Sequence, residues 1–375
     1  MNQNKITIVT VCFNSALCIE KAIQSVLQQS YKNIEYIIID GGSTDGTVEI
    51  IKKYSSYITY WISEPDNGIY HAMNKGIKAA TGDLIGFLSS NDWYADGAIQ
   101  AIADKFEESH ADVIYGDATI IDGEKVVYQD GSAAKLEDSY YYMPILHPAF
   151  FVRTSIQKKY GFDETYRITA DYKFYMQIYR DGYRFAYTKH NIIHYYLGGA
   201  SSELEQAFIE KRRASYEVLG EQIGNYKEGI EREFFENLLN HLEIFVKNGF
   251  AREWIRENTD KEEDIYMFGT GNIGGQSYCC LKSADMNVVC FIDNVKGGQG
   301  SEYKGLPVLK PQDLLHYKQG VVFISSYDYA DEMESQLRQL GVQNQLRVMR
   351  ADEFFADMVN GYIETVNESG CLMQH

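Results

Sequence analysis

The chain has 375 residues, 45% of them hydrophobic, and its 53 acidic against 35 basic residues leave a formal net charge of -18. That length exceeds one compact domain, so two are expected, and the apolar content supports a packed core in each rather than disorder. A chain this acidic does not carry the basic stripes that track nucleic acid; nucleic acid is excluded as a partner, and an anionic substrate must be held locally.

In chain order, residues 6–11 read as a strand, 18–29 as a helix and 34–39 as a second strand. Such alternation predicts βαβ units and a largely parallel sheet. A helix follows over 45–54, with Thr44 or Asp45 as its cap, then a strand at 58–62, a helix over 69–80 ended by Gly82, and a strand at 84–88. Further strands are expected at 112–115, 125–128, 149–152 and 184–187, and a helix over 169–181 ended by Gly182. From 202 to about 263 the sequence becomes charged and helix-periodic, with Phe234, Phe235, Leu238, Leu242 and Phe245 forming an apolar stripe. A new strand opens at Ile265, and strands at 288–293 and 320–325 continue a second α/β unit. The expected organisation is a first domain over 1–202, a helical connector over 203–263, a second α/β domain over 264–350, and a C-terminal helix and tail over 351–375.

Cys12, Cys18, Cys279, Cys280, Cys290 and Cys371 form no C-x-x-C pair and no His/Cys quartet, which disfavours structural zinc or a disulfide framework and fits a reducing cytosol. The first residues lack a secretory signal, and no apolar run approaches the 18 to 20 or so residues that span a bilayer. A cytoplasmic protein is expected, soluble or peripheral at the inner face of the membrane. The 30 tyrosines, clustered at 140–142 and 195–196, are explained mostly by half-buried strand positions.

Ligands of open α/β sheets bind beyond the carboxyl ends of strands. Four such ends are rich in polar groups: Thr10-Val11-Cys12-Phe13-Asn14, Asp40-Gly41-Gly42-Ser43-Thr44-Asp45-Gly46-Thr47, Glu64-Pro65-Asp66-Asn67-Gly68 and Ser89-Ser90-Asn91-Asp92. Alone, the Asp40 to Gly46 stretch is also what a tight turn with a helix cap requires, and Asn91-Asp92 also reads as a cap or turn. Together with Asn74-Lys75-Gly76 and Ala80-Thr81-Gly82-Asp83, and in this order, the four ends resemble the N-terminal signature of family 2 glycosyltransferases with the GT-A fold. The stretch Ser63 to Tyr70, continued through Ala72-Met73-Asn74-Lys75-Gly76, resembles the bacterial surface-polysaccharide branch of that family.

The resemblance covers roughly the first 200 residues and implies an inverting transfer from a nucleoside diphosphate sugar, a UDP- or GDP-sugar, to a saccharide or lipid-linked saccharide. It implies nucleoside contacts from Thr10, Asp40 and Asp66, further donor contacts from Asn14, Ser43, Ser90 and Asn91, and a divalent metal, Mn or Mg, on Asp92. Asn91 departs from the family's commoner aspartate, leaving one carboxylate where two are usual, and His71 likewise replaces an aspartate. Asp171 aligns with the catalytic base, with Asp163 and Glu164 as fallbacks. His147 matches a histidine that binds acceptor or diphosphate, and Trp93 either lines the cleft or packs.

In the second domain, Gly269, Gly271 and Gly274 follow a strand and open a helix, with Asp293 at the end of the next strand, as a dinucleotide site requires. This region resembles the Rossmann-like domain of bacterial sugar-modifying enzymes, either nucleotide-binding or a ligand-free scaffold. Two other functions remain open: a nucleotide-sugar-binding regulatory protein whose catalytic site has decayed, and an NAD-dependent oxidoreductase.

Overall fold

The computed structural model of the chain describes residues 4–197, 204–247, 249–260 and 262–368. The loop at 198–202, Cys371 and the last residues of the tail lie outside the described residues. The chain divides into two compact units, Met1–Ile230 and Glu231–His375. The segment 203–263, expected as a connector, is divided between the two.

The first unit opens with β1 (Ile6–Cys12), α1 (Ile19–Leu27), β2 (Ile34–Asp40), α2 (Thr47–Lys53), β3 (Tyr60–Ser63), α3 (Ile69–Ala79) and β4 (Leu84–Ser89). These strands pair in parallel in the order β3-β2-β1-β4. Strands β1, β2 and β4 are almost continuously apolar because both faces of the sheet are covered. Val9, Val11, Ile37, Ile39, Ile85 and Phe87 enter one core, and Ile6, Ile8, Tyr36, Ile38, Leu84 and Leu88 the other.

Beyond β4 the sheet becomes mixed. It is extended by β5 (Trp93–Tyr94), α4 (Ala98–Ser109), β6 (Val113–Asp122), β7 (Lys125–Gln129), β8 (Phe150–Arg153), α5 (Thr154–Tyr160), α6 (Ala170–Arg180) and β9 (Phe185–Tyr196). The order is β3-β2-β1-β4-β8-β6-β9-β5, with β7 attached to β6. Strand β8 runs antiparallel between β4 and β6, and β9 runs parallel to β6. Expected as four residues, β9 is twelve long, because its second half pairs with the extension of β6 and with β5. The helix α7 (Leu204–Leu219) adds Ala214, Val218 and Leu219 to the core formed by Tyr172 and Met176 of α6.

Helix α8 (Lys227–Leu239) spans the division between units; α9 (Glu243–Lys247) and α10 (Phe250–Asn258) follow it. The second unit is built from β10 (Ile265–Phe268), α11 (Asn272–Ser283), β11 (Val288–Ile292), β12 (Glu302–Tyr303), β13 (Leu306–Leu309), β14 (Val321–Ile324), α12 (Ala330–Leu340), β15 (Arg347–Arg350) and α13 (Ala351–Glu368). Its sheet runs β12-β13-β11-β10-β14-β15, all parallel except the edge strand β12. The chain moves outward from β10 first one way and then the other.

Candidate active site

A cleft of about 930 Å³ opens over the carboxyl ends of β1 and β4. Its floor is Val11 to Ser15, Asp66 and Gly68, and residues 89–92. Thr10 does not reach it. Alternation along β1 turns Thr10 inward, fully buried, with its hydroxyl 3.1 Å from the Tyr36 hydroxyl, while Val11 faces the cleft.

Asp40 does not line the cleft either. It is fully buried, Oδ1 accepts from the Ser43 hydroxyl, and Oδ2 accepts from Gly42 N at 3.1 Å, Ser43 N at 2.9 Å and the Ser63 hydroxyl at 2.6 Å. Burial pushes this carboxyl up, and the hydrogen bonds from Ser43 and Ser63 more than offset it, so it is held below the usual carboxylate range. Asp40 and Ser43 thus shape the loop instead of lining the cleft. Ser43 Oγ in turn accepts from Asn14 N at 2.7 Å, and Asn14, at φ 47°, accepts from Thr44 N at 3.0 Å through Oδ1.

Phe13, 62% exposed, and Asp66 converge over Gly41. A Cβ at position 41 would stand 2.5 Å from Asp66 Oδ2 and 3.4 Å from the Phe13 ring. Only glycine lets these two side chains sit against the backbone there. Asp66 Oδ1 accepts from Gly68 N at 2.9 Å.

Ser90 and Asn91 form the turn between β4 and β5. The Ser90 and Ser15 hydroxyls are 2.8 Å apart, and Asn91 Nδ2 donates to Tyr196 O at 3.4 Å. Asp92 is 1% exposed; Oδ1 accepts from Tyr196 N at 2.9 Å, and the buried Oδ2 has no hydrogen-bond partner. Burial pushes its carboxyl up to about 7, against the lowering effect of the Tyr196 amide. An unpaired buried carboxylate oxygen suits a hard cation whose other ligands come from phosphate and water. Among the described residues no group of three or more His, Cys, Asp or Glu forms a complete cation cage. Trp93 does not line the cleft: it stacks on His194 with centroids 5.2 Å apart, and Lys21 Nζ lies over its ring.

Asp171 occupies the first turn of α6 in the cleft wall. Its Oδ1 accepts from the Tyr70 hydroxyl at 3.0 Å and Tyr172 N at 2.9 Å. Oδ2 stands 3.8 Å from His147 Nδ1, beyond hydrogen bonding. His147 is buried among Phe87, Phe150 and Phe162 and its Nε2 is unpartnered. Burial pushes the imidazole below its usual range, although the Asp171 charge opposes this, so the ring is neutral at pH 7. The fallback bases lie elsewhere: Asp163 is paired with Lys173 at 2.7 Å, Glu164 accepts from Asn74 at 2.8 Å, and neither lines the cleft. His71 closes the turn after Asp66 by accepting from Asn67 N at 3.0 Å.

Sequence reasoning passed over Phe13 and Tyr70, and also Tyr142, Met143, Phe208 and Lys211, which complete the cleft wall. Phe13 left one signal, a large aromatic just beyond a strand at a candidate ligand end. Tyr70 closes the stretch from Ser63 that carries the resemblance, and Tyr142 belongs to the tyrosine cluster at 140–142; Met143, Phe208 and Lys211 come from segments distant in sequence and left no signal.

In the second unit, Gly269 follows β10, Gly271 is the N-cap of α11 and Gly274 lies in its first turn. The Asp293 carboxylate accepts from the Thr270 hydroxyl, Val295 N and Lys296 N. These bonds tie it to its own turn and to the loop after β10.

Residues 7–183 match the model of glycosyl transferase family 2, so the N-terminal region carries a domain of that family. Residues 261–348 match the model described as C2185-like, N-terminal. Among curated proteins, an uncharacterized glycosyltransferase of Mycobacterium tuberculosis is 40% identical over 26% of this chain and 38% of its own length. A PGL/p-HBAD biosynthesis glycosyltransferase of Mycobacterium bovis is 28% identical over 45% of this chain and 67% of its own length. The glycosyltransferase GlyA of Streptococcus pneumoniae is 30% identical over 30% of this chain, and the match spans 16% of GlyA. Among solved structures, Staphylococcus aureus TarS 1-349 superposes with a TM-score of 0.52 and 20% identity, covering 67% of this chain and 78% of that one. That likeness establishes the fold as GT-A type. No described helix is long and apolar enough to cross a membrane.

Proposed function

We propose that the chain is an inverting glycosyltransferase that moves a hexosyl or N-acetylhexosaminyl group from a nucleoside diphosphate donor to a saccharide or lipid-linked saccharide. The observation that carries this reading is the convergence of Phe13, Asp66, Asp92 and Asp171 on one cleft. The family match and the names of the curated relatives support sugar transfer.

In this reading the base of the nucleoside lies against Phe13, whose exposed ring offers a stacking face, and Asp66 accepts from the base or ribose. Ser90 and Asn91 border the diphosphate. Asp92 Oδ2 is the protein ligand for a divalent metal, Mn or Mg, which when bound supplies positive charge that stabilises the departing diphosphate. Tyr70 holds Asp171 Oδ1 and leaves Oδ2 for the acceptor hydroxyl. As the acceptor oxygen bonds to the anomeric carbon, its proton passes to Asp171, the bond to the diphosphate oxygen breaks, and attack on the face opposite the leaving group inverts the centre. Neutral His147 beside Asp171 adds no positive charge that would weaken the base. The acceptor reading places the reaction on the cytoplasmic side of a membrane, with peripheral association, in surface polysaccharide assembly.

Thermal-shift screening of UDP- and GDP-sugars with and without Mn²⁺, followed by transfer assays, tests the proposal, because donor binding raises the melting temperature by mass action. Asp92→Asn and Asp171→Asn are expected to lose transfer. Full activity in both variants would sink the site assignment, and turnover of no donor by the parent protein would sink the function.

A further inference from the structure

Glu210 sits on α7, beyond the residues matched to the glycosyl transferase model, in sequence that reads as a charged linker helix. It is nevertheless 1% exposed. Oε1 accepts from Arg167 N at 2.8 Å and from Gln206 Nε2 at 2.8 Å; Oε2 accepts from Ile168 N at 2.9 Å, Thr169 N at 2.9 Å and the Thr169 hydroxyl at 3.3 Å. Three consecutive backbone amides therefore converge on one carboxylate, at the residues leading directly into α6. Thr169, the N-cap of α6, makes no side-chain cap bond of its own. A carboxylate at a helix start is favoured by the local amides and by the helix dipole.

Asp171 stands two residues after this cluster. The carbonyl of Ile168, whose amide Glu210 holds, lies within hydrogen-bond distance of the Tyr70 hydroxyl, and that hydroxyl also reaches Asp171 Oδ1. Glu210, the 167–169 backbone, Tyr70 and Asp171 thus form one continuous set of hydrogen bonds ending at the candidate base. A half-buried seam backs it: Glu217 of α7 pairs with Lys173 and with Arg213, and accepts from the Tyr166 hydroxyl at 2.9 Å.

We propose that Glu210 is a positioning residue for the transfer reaction, fixing the 167–169 backbone so that Tyr70 and Asp171 hold the orientation in which Oδ2 meets the acceptor hydroxyl. The inference rests on the function proposed above. It makes α7 part of the catalytic apparatus: Phe208 and Lys211 wall the cleft from the same helix whose Glu210 sets the base.

The test compares the full-length parent, Glu210→Gln, Glu210→Ala and Glu217→Gln. Glutamine keeps the length of the side chain but turns one acceptor into a donor facing an amide. Expected for Glu210→Gln is a fall in kcat of about tenfold or more, the scale of a small misplacement of a reacting group, with donor Kd within about twofold of the parent because the nucleoside floor is untouched. The amides of 167–169 are expected to exchange hydrogen faster in this variant, a readout that does not need turnover. Glu217→Gln, which breaks the seam without touching 167–169, is expected to keep parental kcat. If Glu210→Ala does not fold, Glu210→Gln carries the comparison. Parental kcat with unchanged amide protection in Glu210→Gln overturns the inference and leaves the function standing. Equal losses of kcat in Glu210→Gln and Glu217→Gln also overturn it, because general loosening of α7 would then suffice. A parent that turns over no donor overturns the proposed function, and the inference falls with it.

Discussion

Asp92→Asn keeps the shape of a side chain whose Oδ1 already accepts from Tyr196 N, and removes a charge that burial disfavours. The variant should melt at or slightly above the parental temperature while transfer falls by about 100-fold or more and loses its response to Mn²⁺; calorimetry and a metal titration read the two effects separately. Phe13→Ala removes an exposed ring, so stability should hold while donor Kd weakens about 3- to 10-fold, the range of one aromatic stack. Glu35, far from the cleft at the start of β2, reports on folding alone. It is 5% exposed and accepts from Thr7, Thr81 and Lys5. Burial pushes its carboxyl up, but these bonds bring it down to about 2. A lowered carboxyl stabilises the fold above its unfolded value near 4.5 and loses that contribution as pH falls toward 2. Acid unfolding of Glu35→Gln, followed by circular dichroism, should accordingly show a flatter loss of stability between pH 4.5 and 2 than the parent. At this scale the sequence made positions legible where the local chain decides them: Asp92 follows the turn after β4 and Asp171 stands in the first turn of its helix, and both line the cleft. Thr10, which the sequence offered beside them, is turned into the sheet, because alternation with period two gives the cleft face to Val11. Glu210 was illegible because its partners lie some 40 residues upstream.

Strand β1 and helix α3 touch where Gly76 meets Val9. A Cβ at position 76 would stand 2.3 Å from Val9 Cγ1 in a packed core. Gly76→Ala should therefore destabilise the first unit by about 1 to 3 kcal/mol, read as a shifted urea midpoint with an unchanged slope. The alternation from β1 to β4 was legible because each strand is a short apolar run bounded by turn residues. Helices α4 and α5 went unread although α4 carries Ile99, Ile102, Ala103 and Phe106 at helical spacing. Strand β9 was cut to a third of its length because tyrosine and histidine occupy both of its faces after residue 187, so no apolar alternation marks it; pairing with β5 and β6 extends it. The Asp92 site depends on that extension, since Tyr196 is its last residue.

The whole chain carries a formal charge of -18, and under the proposed function it must receive a donor that is itself an anion. Raising ionic strength from about 0.01 M to 0.15 M shortens the Debye length from about 30 Å to about 8 Å, so association of donor should become faster, with the gain largest at the low end. Stopped-flow mixing across that range checks it; association that slows with salt would mean that the local cations Arg167 and Lys211 in the cleft outweigh the field of the molecule. The second strand-rich pattern at Ile265 suggests two units in the sequence, and the chain divides at 230/231, inside the stretch that reads as linker until Glu210 of α7 is seen to be buried. One consequence concerns the heat of binding. The loop from Asp40 to Asp45 is already cross-bonded by Asp40, Ser43 and Asn14, so nucleoside capture has little backbone left to order. Its calorimetric signature should be that of a rigid receptor, with a small negative heat-capacity change that reflects the ring face of Phe13 and not the folding of a segment.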